Sequence, residues 1–151
     1  MPRLSLINNL SSPKCTRIQI MNEPFNTTVT TDDWTDDAGA VASFQSGGYL
    51  KLIHAENGYS SISLPVIANQ SYKYTINCAA TIASGDSGPI IKFGTSANNN
   101  SIANIPVAES SSPIIKTGTI DVGAITTLYL TLFHDTNVAE AYWDEIIIED
   151  A

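Results

Sequence analysis

Apolar residues recur at every second position in one segment of the chain after another, and these segments are rich in Ile, Val, Thr and Tyr. That period puts alternate side chains on opposite faces of an extended strand. The clearest run is Tyr72, Tyr74, Ile76, Cys78 and Ala80, with Lys73, Thr75, Asn77 and Ala79 turned the other way. One face should be buried and the other wet, as in an antiparallel sheet. A second run sets Leu128, Leu130 and Leu132 against Thr127, Tyr129, Thr131 and Phe133. Its outer set is itself half apolar, so it too is expected to be covered. Further strands are predicted near Arg17 to Met21, Phe25 to Thr30, Ala40 to Phe44, Gly48 to His54, Tyr59 to Leu64, Pro89 to Gly94, Pro113 to Asp121 and Tyr142 to Glu149. No segment has a convincing helical period, and strands of this length and spacing predict an all-β sandwich or barrel.

The breaks carry turn chemistry at Gly47-Gly48, Asn57-Gly58, Asn69-Gln70, Gly85 to Gly88 and Asn98 to Ser101. Asn57-Gly58 lies between two predicted strands and reads as a tight hairpin turn. The stretch from Thr95 to Ala103 is poor in apolar residues and is expected to be the longest loop. Residues 1–16 fit the alternating pattern least. Leu4, Leu6, Ile7 and Leu10 are bracketed there by Pro2 and Pro13, so this segment reads as an apolar arm docked on a neighbour, ahead of a sandwich domain over residues 17–151.

Composition narrows the function. The chain has 151 residues, enough for one core, and is 43% hydrophobic and only 15% charged, as expected of a domain that folds by itself. A net charge of −8 is the wrong sign for neutralising phosphates, so nucleic acid is not an expected partner. The acids gather in Asp32, Asp33, Asp36 and Asp37 and in Glu140, Asp144, Glu145, Glu149 and Asp150, which read as a solvated loop and a solvated strand edge. Cys15 and Cys78 are too few and too far apart for a zinc knuckle or a disulfide framework, and are expected to be free thiols. No window suits a membrane helix, and the N-terminal residues lack the apolar stretch of a secretory signal. Membrane insertion is therefore not expected, and sequons such as Asn26-Thr27-Thr28 carry little weight.

Four segments, in order, carry a resemblance: Asn22 to Asn26 (NEPFN) followed by Trp34, Gly47 to Leu52 (GGYLKL), Leu64 to Ile76 (LPVIANQSYKYTI) and Ala141 to Glu149 (AYWDEIIIE). Over about residues 22–149 the chain resembles the galactose-binding-like jelly rolls, in particular carbohydrate-binding modules of families four and nine. The resemblance implies an antiparallel jelly-roll β-sandwich. It also implies a structural calcium where the first and last strands meet, held here by Asn26, Asp144 and Glu145, with Asn26 standing where the family has an acid.

Sugar recognition needs flat aromatic faces beside polar side chains. Tyr49, Lys51 and Ile53 alternate with Leu50, Leu52 and His54, so Tyr49 and Lys51 face outward if the leucines face the core. Tyr59 is opposite in parity to Ile62 and Leu64 and would join Tyr49 across the Asn57-Gly58 hairpin. Trp34, in the acidic loop, would stand at the rim of that surface. Trp34 and Trp143 have a second reading as plugs at the ends of the core, and for Trp143 this reading is preferred.

Enzymatic readings fare worse. His54 and His134 are the only histidines, and neither has a nucleophile elbow or a metal-ligand partner nearby. The sequence therefore points to a non-catalytic protein. The expectation is a virion structural or accessory protein of a bacteriophage, a head-decoration (cement) or tail-associated protein made in the host cytoplasm. It would assemble with itself or other virion proteins and contact host glycans. The alternative is a free-standing carbohydrate-binding module acting with a separate glycoside hydrolase.

Overall fold

The structure, a computed structural model, describes residues 19–23, 34–37, 41–45, 49–53, 58–82, 88–133 and 138–151. Most of these residues lie in strands. In chain order these are β1 (Gln19–Glu23), β2 (Thr35–Asp37), β3 (Val41–Gln45), β4 (Tyr49–Ile53), β5 (Tyr59–Pro65), β6 (Ser71–Ile82), β7 (Ile90–Gly94), β8 (Ala103–Pro106), β9 (Ser110–Asp121), β10 (Thr127–Phe133) and β11 (Val138–Asp150). No helix occurs among the described residues.

The strands form two antiparallel sheets. The six-stranded sheet runs β3-β4-β11-β6-β9, with β1 also paired to β11; the five-stranded sheet runs β2-β5-β10-β7-β8. Successive strands often lie in opposite sheets, and the result is a jelly-roll β-sandwich, as the sequence predicted. The core lies between the layers. From the six-stranded sheet it takes Tyr72, Tyr74, Ile76, Cys78 and Ala80, and from the five-stranded sheet Leu128, Leu130, Leu132, Ile91 and Phe93. Tyr74 and Phe93 meet across the layers with ring centroids 5.4 Å apart. Tyr74 also lies over Gly118 of the adjacent β9, where a Cβ would strike the phenol ring.

β11 shows how the sequence accommodates a phase change. Ala141 and Trp143 are buried at odd positions, whereas Ile146 and Ile148 are buried at even ones. The register slips between them: Trp143 faces Cys78 and Glu145 faces Asn77, leaving Asp144 as the extra residue of a β-bulge. Two consecutive acids are thereby exposed while the aliphatics on both sides still reach the core.

The two sheets are tied at one end by a pair of turns. Asn69, at φ 62°, takes the left-handed conformation its short amide tolerates, and Gly123 does the same at φ 59°. The Asn69 N–H donates to the Gly123 carbonyl, and the Val122 N–H donates to the Gln70 carbonyl at 3.3 Å. The Ile67 N–H donates to the Tyr72 hydroxyl at 2.8 Å, which satisfies the polar end of a nearly fully buried ring.

Two expectations need correction, and one strand was not predicted. β4 pairs with β3 and β11, while β5 pairs with β2 and β10, so β4 and β5 belong to different sheets and are not the two arms of the expected hairpin. The acidic stretch read as a loop supplies β2, because an edge strand of three residues needs only the open ladder of β5 and little intrinsic propensity. β8, which begins at the last residue of the expected Thr95 to Ala103 loop and pairs with the open side of β7, was not among the predicted strands. The predicted strand at Phe25 to Thr30, Cys15, His54, His134 and the arm residues Leu4, Leu6, Ile7 and Leu10 lie outside the described residues.

Candidate functional site

On the five-stranded sheet, the residues of β10 and β7 that alternate with the core set face away from the sandwich. Cross-strand register aligns Thr35, Ser61, Thr131, Lys92 and Asn104 in a single row that crosses every strand of the sheet. The row is polar from edge to edge. The adjacent row brings together Asp37, Tyr59, Phe133, Ile90 and Pro106. On its other flank, Ser63, Tyr129 and Gly94 make a third.

This outer face is partly roofed. Thr131 is 0% and Ser61 3% exposed although both lie opposite the core. The cover over Thr131 comes from the loop after β7, whose Asn98 N–H donates to Thr131 Oγ1 at 3.0 Å. Three devices hold the loop down. Gly94 lets the Asn99 backbone and side-chain oxygens approach where a Cβ would stand. Asn98 turns the chain at φ 56°. Asn99 Oδ1 accepts from the Thr95 and Ser101 N–H groups at 3.3 and 3.0 Å, closing the loop on itself. Lys92 Nζ donates to Asn98 Oδ1 at 2.7 Å and lies 3.4 Å from the centre of the Phe133 ring. At the far edge Asn100 Nδ2 donates to Asn104 Oδ1 at 3.4 Å.

Tyr59 and Tyr129 stand on neighbouring strands, four register positions apart, which corresponds to roughly 14 Å. Both are half-buried, with exposed Ser63 and Thr35 beside them. The surface thus offers two aromatic rings on opposite flanks of the polar row, with the exposed hydroxyls of Ser63 and Thr35 and the exposed amide of Asn104 on the same face. Hydroxyls and amides donate and accept without net charge, and aromatic faces pack against C–H groups. A polyol with apolar ring faces is the ligand chemistry that this combination suits.

The residues named from sequence divide between surfaces. Tyr49 and Lys51 belong to β4 of the six-stranded sheet, at positions alternating with Leu50 and Leu52, which pair with the buried Trp143 and Ala141. Tyr59 belongs to the other sheet, so the expected common surface of Tyr49 and Tyr59 does not form. Trp34 is 6% exposed and packs in the core, so it does not serve as a rim. It stands just before β2, and burying so large a ring is favourable. Trp143, read as a core plug, is fully buried. Asp144 and Glu145 are exposed on β11, and Asp144 Oδ2 accepts from Asn77 Nδ2 at 2.6 Å. Asn26 lies outside the described residues, and among the described ones no group of three or more His, Cys, Asp and Glu gathers to hold a metal.

Tyr129, Phe133, Lys92, Asn98 and Asn104 were not anticipated as site residues. The available signal was the half-apolar outer set of β10, which marked a covered face without naming its cover. In the core, burial pushes the Cys78 thiol up to about 11, against a lowering pull from Lys116, and also raises Tyr74. Neither group is part of this face.

No family profile and no curated protein matches the chain. Solved structures do resemble it. The CBM22-1 xylan-binding domain of Paenibacillus barcinonensis Xyn10C aligns at TM-score 0.61 and 16% identity, over 89% of this chain and 95% of that one. The carbohydrate-binding module CBM6cm-2 of Cellvibrio mixtus lichenase 5A, solved with cellotriose, aligns at TM-score 0.57 and 10% identity over 89% and 99%. The enzymatically active domain of bacteriophage CBA120 tailspike protein 4 aligns at TM-score 0.67 and 7% identity, over 89% of this chain but 22% of that one. At such identities the likeness establishes a shared fold, that of carbohydrate-binding modules.

Proposed function

We propose that the chain is a non-catalytic glycan-binding domain whose ligand contacts the outer face of the five-stranded sheet through Tyr59 and Tyr129. The observation that carries this reading is the pair of half-buried rings Tyr59 and Tyr129 on that face, with the exposed side chains of Thr35, Ser63 and Asn104 on the same face. The named ligands of similar structures, xylan and cellotriose, agree with it in chemical class. A glycan array followed by titration calorimetry tests it. Tyr59→Ala and Tyr129→Ala should each weaken any hit by roughly tenfold or more, the loss expected for an aromatic anchor. Silence across the array, or full affinity in both variants, overturns it.

The biological setting we favour is a bacteriophage virion, with the domain acting as a decoration or tail-associated protein that touches host-surface sugars. The likeness to a tailspike domain supports this setting. A module working beside a separate glycoside hydrolase is the alternative. Neighbouring genes discriminate: capsid and tail genes favour the first, and a glycoside hydrolase gene favours the second.

A further inference from the structure

The six-stranded sheet ends in β9, which has 12 residues, pairs with β6 on one side and has no strand on the other among the described residues. A free edge is a row of unpaired backbone donors and acceptors, and proteins usually blunt it by shortness, charge or proline. The other edges follow that rule. β2 has three residues, two of them aspartate; β8 has four and ends in Pro106; β3 and β1 have five each. On β9, Pro113 and Asp121 bound an open stretch from Ile114 to Ile120. Its outward residues Ile115, Thr117 and Thr119 are exposed and uncharged, and Ile115 is 67% exposed. Lys116, its one charged residue, is half-buried and in register with the fully buried Ile76.

We propose that β9 is the contact through which two copies of this chain join, edge to edge and antiparallel. Charge selects the occupant. Each copy carries −8, so most of its surface repels a second copy, yet Ile114 to Ile120 contains no acid. The segment is also self-complementary, as a two-fold contact requires. With Thr117 on the axis, Ile115 faces Thr119 of the second copy, Ile114 faces Ile120 and Lys116 faces Gly118, so no side chain meets a like charge directly opposite. The axis of such a pair is perpendicular to the sheet. Both five-stranded sheets therefore lie on one side and point their outer faces the same way. If those faces bind glycan, as proposed above, the dimer presents them as a bivalent surface.

Light scattering on the full chain tests the contact, with an expected mass twice the 16.2 kDa of one chain. Ile115→Lys combined with Thr119→Lys should reduce it to the single-chain mass with an unchanged circular dichroism spectrum. Thr117→Cys should form a disulfide-linked dimer under mild oxidation, which the unaltered chain should not, and this readout stands if the lysine variant fails to fold. A wild-type chain that stays at the single-chain mass overturns the proposal. So does a dimer that survives both lysines, or one lost on Leu4→Asp with Leu6→Asp, which would assign the contact to the N-terminal residues. Loss of dimer with retained binding to an isolated oligosaccharide separates this contact from the glycan-binding face.

Discussion

Gly94 carries a large consequence for its size. Its missing side chain is the space that the Asn99 backbone occupies, so the loop after β7 can press onto the outer face of the sheet. Gly94→Ala must move either backbone or loop and should cost about 1–3 kcal/mol in a urea unfolding titration. The same variant should weaken glycan binding, because Asn98 and Lys92 shift with the loop. Gly118 differs in its neighbour: a Cβ there meets the phenol of Tyr74. Cys78 gives a pH prediction with a defined sign. Its thiol rises from 9.0 to about 11 on folding, so between those values the folded chain keeps a proton that the unfolded chain has lost. The stabilisation is complete below pH 9.0 and is lost as pH rises towards about 11, with Tyr74 acting in the same direction. Unfolding midpoints measured at successive pH values should fall across that window, and Cys78→Ala should flatten the fall. At this scale the sequence was informative about burial but not about company. Alternation marked Tyr72 to Ala80 as half-buried, yet nothing local showed that Tyr74 would need a glycine beside it on β9.

Among elements, β11 is the most instructive. Strict alternation starting at Ala141 would send Glu145 to the core and Ile146 to solvent, and the bulge at Asp144 prevents this. Deleting Asp144 should leave a regular ladder, Trp143 opposite Cys78 followed by Glu145 opposite Asn77, so the variant should fold with a modest loss of thermal stability. Deleting Tyr142 should not be tolerated, because it puts Ala141 and Trp143 on opposite faces. Soluble expression and circular dichroism of the two deletions check the contrast. The strands predicted for β4, β5, β6, β7, β9, β10 and β11 all formed, since each carries its own alternation or β-branched run. β2 and β8 escaped notice because they are short edge strands, made by the open ladders of β5 and β7.

In the whole molecule the two sheets share one core, so they should unfold together. Leu130→Ala, at the centre of β10, should cost about 2–5 kcal/mol, and tryptophan fluorescence and far-ultraviolet circular dichroism should report a single coincident transition. Two separate transitions would mean that the layers are energetically independent. Beyond the jelly-roll order that four short segments imply by resemblance, the sequence by itself determined the class of structure: an all-β sandwich, and which faces of its central strands are buried. These properties are local, because a period of two and a β-branched composition act on each strand wherever it ends up. Only the tertiary structure decided the partners. Tyr49 and Tyr59 read alike in sequence but belong to opposite sheets, and Trp34 is drawn inside. Tyr59 shares its face with Tyr129 and Lys92, from distant parts of the chain. Strand pairing is a choice among many edges of similar local chemistry, and the shared core makes that choice, since only one arrangement buries the inward side chains of both sheets against each other.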